Sequence, residues 1–216
     1  MSGRLHRTER DARRRSYGQN FLVDRPLIDR WIGELGLGAG DLVVDVGAGS
    51  GSLTRTLAAT GATVWAVEPD PVWADRLRSE FAAGSRDARV RVIETDVRRL
   101  RFPRDPYRVV ANPPFGVTTE LLGLLLDRPA RGPTRADLVL QLDVARKHAA
   151  SPPTALRTAG WIPWWDFSLG AAIPRTSFRP RPNVDAAVLT IRRRVPALLP
   201  ERLAPTFADR LRPDWG

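Results

Sequence analysis

The sequence contains no cysteine, which excludes a disulfide framework, a thiolate nucleophile and a cysteine-based zinc site. Its two histidines, His6 and His148, are too few and too far apart for a histidine metal site, so the chemistry is expected to run without a metal. No stretch approaches the length of a membrane span, and the N-terminus lacks the apolar run of a signal peptide. A cytoplasmic protein is the expectation. Lysine is nearly missing too, since Lys147 stands alone among 34 basic residues. Almost all the positive charge is therefore arginine, whose planar fork pairs bidentately with phosphate and stacks on bases. A GC-rich genome favours arginine codons as well, so that preference has two readings. The net charge of +10 is a stronger pointer to a polyanionic partner, because cationic contacts to phosphates release condensed counterions.

What is present is enough for one substantial core, since 216 residues need neither disulfide nor metal to be stable. Residues 1–16 carry Arg4, Arg7, Arg10, Arg13, Arg14 and Arg15 against Glu9 and Asp11, with little to pack, and read as a basic disordered arm that seeks RNA. Next, Leu27, Ile28, Trp31, Ile32 and Leu35 recur on one helical face, with Asp24 to cap the start and Gly36 and Gly38 to end it. Short runs rich in Val, Ile and Leu at 42–46, 63–67, 90–94, 108–111 and 138–142 then alternate with helical or loop segments. Two further strand candidates, 167–173 and 186–191, are joined by a proline-bearing connection short enough for an antiparallel pair. Five parallel strands followed by such a pair predict a Rossmann-like α/β fold, a seven-stranded, mostly parallel sheet flanked by helices, as in class I methyltransferases. The loop 127–135, with Arg128, Arg131 and Arg135, reads as a basic surface connection that either meets RNA or is simply solvated.

The run Val43-Val44-Asp45-Val46-Gly47-Ala48-Gly49-Ser50-Gly51 places a glycine-rich turn between a buried strand and a helix. Gly47, Gly49 and Gly51 would let the backbone turn tightly and approach a ligand. Ser52 stands where a dinucleotide fingerprint wants its third glycine, which argues against a pyrophosphate cradle. Glu68, after the second strand, can accept ribose hydroxyls, and Asp96, after the third, can accept a hydrogen bond from an adenine amine. Either acid alone is more often a surface residue. In order, at adjacent strand ends, they predict a nucleoside-containing cofactor.

Asn112-Pro113-Pro114-Phe115 follows the fourth strand. An adenine amine is a poor nucleophile because its lone pair is delocalised into the ring. Two acceptors, the Asn112 side-chain oxygen and the Pro113 carbonyl, can hold both amine hydrogens and aim the lone pair at a methyl group. Phe115 can stack on the base, and the prolines lock the loop. No general base is required, since the methylated amine is acidic enough to lose its proton to water. The target adenine must leave its stack, which favours an unpaired or loop position.

These motifs, together with Tyr17-Gly18-Gln19-Asn20-Phe21-Leu22, Glu68-Pro69-Asp70, Gln141-Leu142-Asp143-Val144-Ala145-Arg146 and the segment Phe178-Arg179-Pro180-Arg181-Pro182-Asn183-Val184-Asp185, resemble the erythromycin-resistance (Erm) 23S rRNA adenine N6-methyltransferases within the rRNA adenine dimethylase superfamily. The resemblance runs from about residue 17 to 194. It implies S-adenosylmethionine as cofactor, with Gln19, Asn20 and Leu22 at its methionine end and Asn112 also among the cofactor-binding residues, and Phe178 facing the target adenine opposite Phe115. It also implies methylation of one adenine in the macrolide site of 23S rRNA, by a monomer, with resistance to macrolide, lincosamide and streptogramin B drugs as the consequence. Arg179 and Arg181 would join the RNA contacts. Two departures stand out. The family usually has a small aliphatic residue where Pro113 stands, and residues 195–216 are too few for the helical RNA-binding domain these enzymes carry. The expected division is therefore the arm, a catalytic domain over 17–194 and a short remnant. Two alternatives remain: a small-subunit (16S) rRNA adenine dimethyltransferase, and a non-catalytic nucleic-acid-binding protein on the same fold.

Overall fold

The computed structural model describes residues 20–82 and 89–214. The basic arm, and Gln19 with it, lie outside the described residues. After a two-residue strand β1 (Phe21–Leu22), helix α1 (Arg25–Glu34) starts as expected. Asp24 accepts the Leu27 N–H, Pro26 sits in the first turn, and Ile28, Trp31 and Ile32 form the buried face. There follow β2 (Leu42–Val46), α2 (Ser52–Ala59), β3 (Thr63–Glu68), α3 (Pro71–Glu80), β4 (Val90–Glu94), β5 (Arg108–Ala111), α4 (Thr118–Leu126), β6 (Arg135–Gln141), α5 (Leu142–Ala149), α6 (Leu156–Trp161), β7 (Trp165–Ile173), β8 (Phe178–Arg179), β9 (Ala186–Arg193) and α7 (Ala204–Leu211).

The large sheet has the order β4-β3-β2-β5-β6-β9-β7. β2 to β6 run parallel, and β9 is antiparallel to both β6 and β7. The seven-stranded α/β fold is therefore as the alternating sequence predicted. Side chains on one face of the sheet, such as Val44, Val109 and Leu138, pack with α4, Trp161, Trp164 and Trp165. Those on the other face, Val43, Val110, Val139 and Val188, pack with α1 and Leu57 of α2. Burial on both faces explains why these strands read as continuous apolar runs.

β7 begins at Trp165, not at 167, and β9 runs on to Arg193, not 191, and three further features differ from expectation. β6 begins at Arg135, not at 138: Asp137 pairs in register with Thr190 and accepts its hydroxyl at 2.8 Å, so the strand carries a buried acid that the apolar pattern does not show. Residue 194 is not a structural boundary: Ala197, Leu199, Leu203 and Phe207 pack on the core, and the Trp164 indole donates to the Leu199 carbonyl at 2.9 Å. The third is a second, two-stranded sheet, in which β1 pairs antiparallel with β8 across more than 150 residues of chain. Among the described residues no helix is long and apolar enough to cross a membrane.

Candidate active site

The carboxyl ends of β2, β3, β4 and β5 converge on a trough made of two cavities that share Gly47 and Pro114. The larger, about 270 Å³, is lined by Glu68, Pro69, Asp96, Val97, Arg98 and Val117. The smaller, about 30 Å³, is lined by Asn20, Phe21, Leu22, Asp45, Ala48 and Asn112, among others.

Gly47, Gly49 and Gly51 all have positive φ, which a side chain would strain. Two of them also permit close approach. A Cβ on Gly47 would lie 3.2 Å from Pro114 Cδ, and one on Gly49 would lie 2.6 Å from the Phe21 ring. The turn is thus wedged between the Asn112 loop and β1. Phe21 is held in place edge-on by Trp73, at 5.1 Å between ring centroids.

Glu68 is fully buried, and each carboxylate oxygen already accepts a backbone N–H, from Gly49 at 2.7 Å and from Asp70 at 2.9 Å. Each keeps a second lone pair for a ligand hydroxyl. Glu68 therefore shapes the glycine turn as well as lining the cavity. Burial pushes its carboxyl above the usual range, opposed by those two N–H bonds. Asp96 lines the same cavity, with one oxygen accepting the Arg98 N–H at 2.9 Å. Arg98 turns outward to Glu120 of α4 at 2.7 Å.

Asp45 stands in the glycine run, yet sequence reasoning assigns it no role. Its side chain is fully buried in β2, Thr54 donates to one oxygen at 2.7 Å, and the other oxygen is buried without a partner. Burial, reinforced by Glu68 nearby and opposed by Thr54, pushes its carboxyl up to about 7. An acid at the end of an otherwise apolar strand, beside a glycine turn, was the available signal.

Asn112 is half in place already. Its Nδ2 donates to the Asn20 carbonyl at 2.8 Å, while Oδ1 is buried with no donor. That fixes the amide's orientation and leaves an acceptor open. Val117 N–H donates to the Pro114 carbonyl at 3.0 Å, closing the turn, and among the described residues nothing donates to the Pro113 carbonyl. Two acceptors free of internal donors are what a primary amine needs. The site thus fits a nucleoside cofactor at Glu68 and Asp96, a charged group beside Asp45, and an amine at Asn112.

A model of the ribosomal RNA adenine dimethylase family matches residues 10–209. The chain belongs to the ribosomal RNA adenine dimethylase family. Among curated relatives of this dimethylase-family chain, an rRNA adenine N-6-methyltransferase of Corynebacterium diphtheriae is 39% identical, over 83% of this chain and 68% of the relative. An rRNA methyltransferase of Streptomyces thermotolerans is 40% identical over 95% and 68%. The mycinamicin-resistance protein MyrB of Micromonospora griseorubida is 38% identical over 92% and 62%. The chain thus spans about two thirds of the length of these relatives. The crystal structure of the 23S rRNA methyltransferase ErmE superposes with a TM-score of 0.79 at 28% identity, over 89% of this chain and 78% of that one.

The two segments that mark the Erm resemblance most specifically turn out to be partners. β1 carries Leu22 opposite Phe178 of β8, Val23 N–H donates to the Ser177 carbonyl at 2.9 Å, and the Ser177 hydroxyl donates to Asp24 at 2.8 Å. The expectation that Phe178 faces the target base is not met. Its ring is fully buried beside Leu22 and Ile28, while Phe115 is half-buried against the same cluster. Phe178 supports the site from behind and offers no surface to a ligand here. The arginines divide similarly. Arg179, at the end of β8, and Arg181, on the loop after it, are both exposed. Arg135 is not a loop residue but the first residue of β6, and its guanidinium pairs with buried Asp137 at 2.7 Å. With Arg128 and Arg131 it lies at the amino end of β6, the opposite edge of the sheet from the trough.

Proposed function

We propose that the chain transfers a methyl group from S-adenosylmethionine to N6 of an unpaired adenine in the macrolide site of 23S rRNA, conferring macrolide, lincosamide and streptogramin B resistance. The observation that carries the reading is the Asn112 amide, oriented by the Asn20 carbonyl with Oδ1 buried and open. S-adenosylmethionine supplies an electrophilic methyl on a sulfonium centre. Glu68 accepts the ribose hydroxyls and Asp96 the adenine amine in the larger cavity. Asn20, Leu22 and Asp45 hold the methionine end in the smaller one, where ionised Asp45 meets an ammonium. Asn112 Oδ1 and the Pro113 carbonyl each accept one hydrogen of the target amine, which directs its lone pair toward the methyl. Phe115 stacks on the flipped base. The proton leaves to water: His148, the one histidine among the described residues, is tied to the Thr158 hydroxyl at 2.8 Å and lines neither cavity. An rRNA substrate puts the reaction in the cytoplasm, and no step needs a second copy of the chain.

The test is transfer of radiolabelled methyl onto unmodified 23S and 16S rRNA, followed by mapping of the modified base. Label at a macrolide-site adenine of 23S is expected. Label in 16S alone would make this a small-subunit dimethyltransferase, and label in neither would leave a binding protein on a methyltransferase fold.

A further inference from the structure

At the edge of the sheet remote from the trough, three adjacent strands place arginine in register. Arg108 of β5 pairs with Arg135 of β6, and Arg135 pairs with Arg192 of β9. Residues in register share a face, so three guanidinium stems stand side by side, an arrangement that is unfavourable for like charges unless something compensates it. The compensation inside the chain is partial. Asp137 is committed to Arg135 and to the Thr190 hydroxyl. Arg108 gives Nη2 to the Leu35 carbonyl at 3.0 Å, and its Nε is buried without an acceptor. Burial, with repulsion from Arg135 and Arg192 added to it, holds the Arg108 guanidinium below its usual range.

A cavity of about 230 Å³ opens over this row, between α1 and the β6–β9–β7 part of the sheet. Its polar wall is Arg30, Glu34, Arg135, Asp137, Thr190 and Arg192. Trp31 also lines it, and the buried indole N–H of Trp31 has no acceptor. Arg30 and Arg192 are exposed, and their guanidiniums make no ion pair or hydrogen bond among the described residues. Counting Arg108, four guanidiniums meet three carboxylates, Glu34 and Asp137 in the pocket and Asp41 beside Arg108, which leaves the cluster with an excess of positive charge.

We propose that this pocket is a second anion site that binds a phosphate group, carried by an RNA backbone or by a small phosphorylated molecule. The free guanidiniums of Arg30 and Arg192 grip the phosphate oxygens, and the Trp31 indole donates to one of them. The pocket stands apart from the methyl-transfer site, so its occupancy does not depend on which adenine, if any, is methylated.

The experiment follows the indole N–H resonance of Trp31, assigned with Trp31→Phe, during titration with inorganic phosphate at constant ionic strength held by chloride. A saturable shift is expected, roughly tenfold weaker in Arg192→Gln and in Arg30→Gln. Both substitutions are at exposed positions, and thermal melts report whether either variant has lost its fold. Oligouridine, which lacks the target base, separates the two sources. If it moves the same resonance the phosphate is that of RNA, and if only inorganic phosphate does so it is a small molecule's. No shift with either probe, or a shift that both variants keep at wild-type affinity, overturns the proposal.

Discussion

Asn112 is gripped on one side of its amide and open on the other, and removing the side chain separates catalysis from folding. Asn112→Ala deletes an acceptor aimed at the reacting amine and leaves the Asn20 carbonyl able to find water at the cavity edge. Methyl transfer is expected to fall by roughly 10²- to 10³-fold in single-turnover assays, with the melting temperature close to wild type. Asp45 makes a different prediction, about pH. Its folded carboxyl is raised to about 7 from an ordinary 3.8, so the folded chain holds a proton there that the unfolded chain has released. The stability this contributes is full below about pH 4 and is lost as pH rises toward 7. Asp45→Asn removes that dependence: the fall in unfolding free energy between pH 5 and pH 8 should shrink by about 1–3 kcal/mol in denaturant titrations. Asp45 stood in plain sight in the sequence, yet its role could not be read there. What makes it distinctive is an oxygen left unpaired after Thr54 takes the other, and that depends on packing across β2 and α2.

Secondary elements were legible where periodicity was strong. β2, β4 and β5 begin and end where the apolar runs do, and α1 starts at its aspartate cap. The clasp between β1 and β8 was not legible, because two-residue strands have no period and their pairing joins segments far apart in sequence. The resemblance picked out both segments without saying that they touch, and it assigned Phe178 to the ligand when the ring belongs to the clasp's core. The clasp acts on the site through its neighbour in the chain, since β1 follows directly on Asn20, whose carbonyl orients Asn112. Ser177→Ala removes the hydroxyl that ties β8 to Asp24 and leaves the helix cap in place. It should cost about 1 kcal/mol of stability and lower kcat several-fold with little change in KM for RNA, a split that Ser177→Thr partly restores. Equal loss in the Thr and Ala variants would mean that the hydroxyl does not matter.

For the molecule as a whole, the charge of +10 acts through where it is placed. Many arginines are already occupied: Arg55 with Glu80, Arg98 with Glu120, Arg157 with Asp127, and Arg194 with Asp166. Around β8, Arg179 at the strand's end donates to the Thr176 and Phe178 carbonyls, and Arg175, in the turn before the strand, donates to that of Asn183. Arg181, on the loop after β8, is exposed and makes no such bond among the described residues, so of these three guanidiniums it is the one free to meet a backbone phosphate. A single phosphate contact contributes to affinity independently of base sequence and releases about one counterion. Arg181→Ala should therefore weaken binding of rRNA fragments with and without the target adenine to the same degree. It should also flatten the dependence of log K on log salt by about 0.7–0.9. Filter binding across a range of potassium chloride concentrations gives both numbers. A slope left at the wild-type value would remove Arg181 from the RNA contact. Weaker binding only to the fragment bearing the target adenine would make Arg181 a reader of bases, because a phosphate contact loses affinity for every sequence alike.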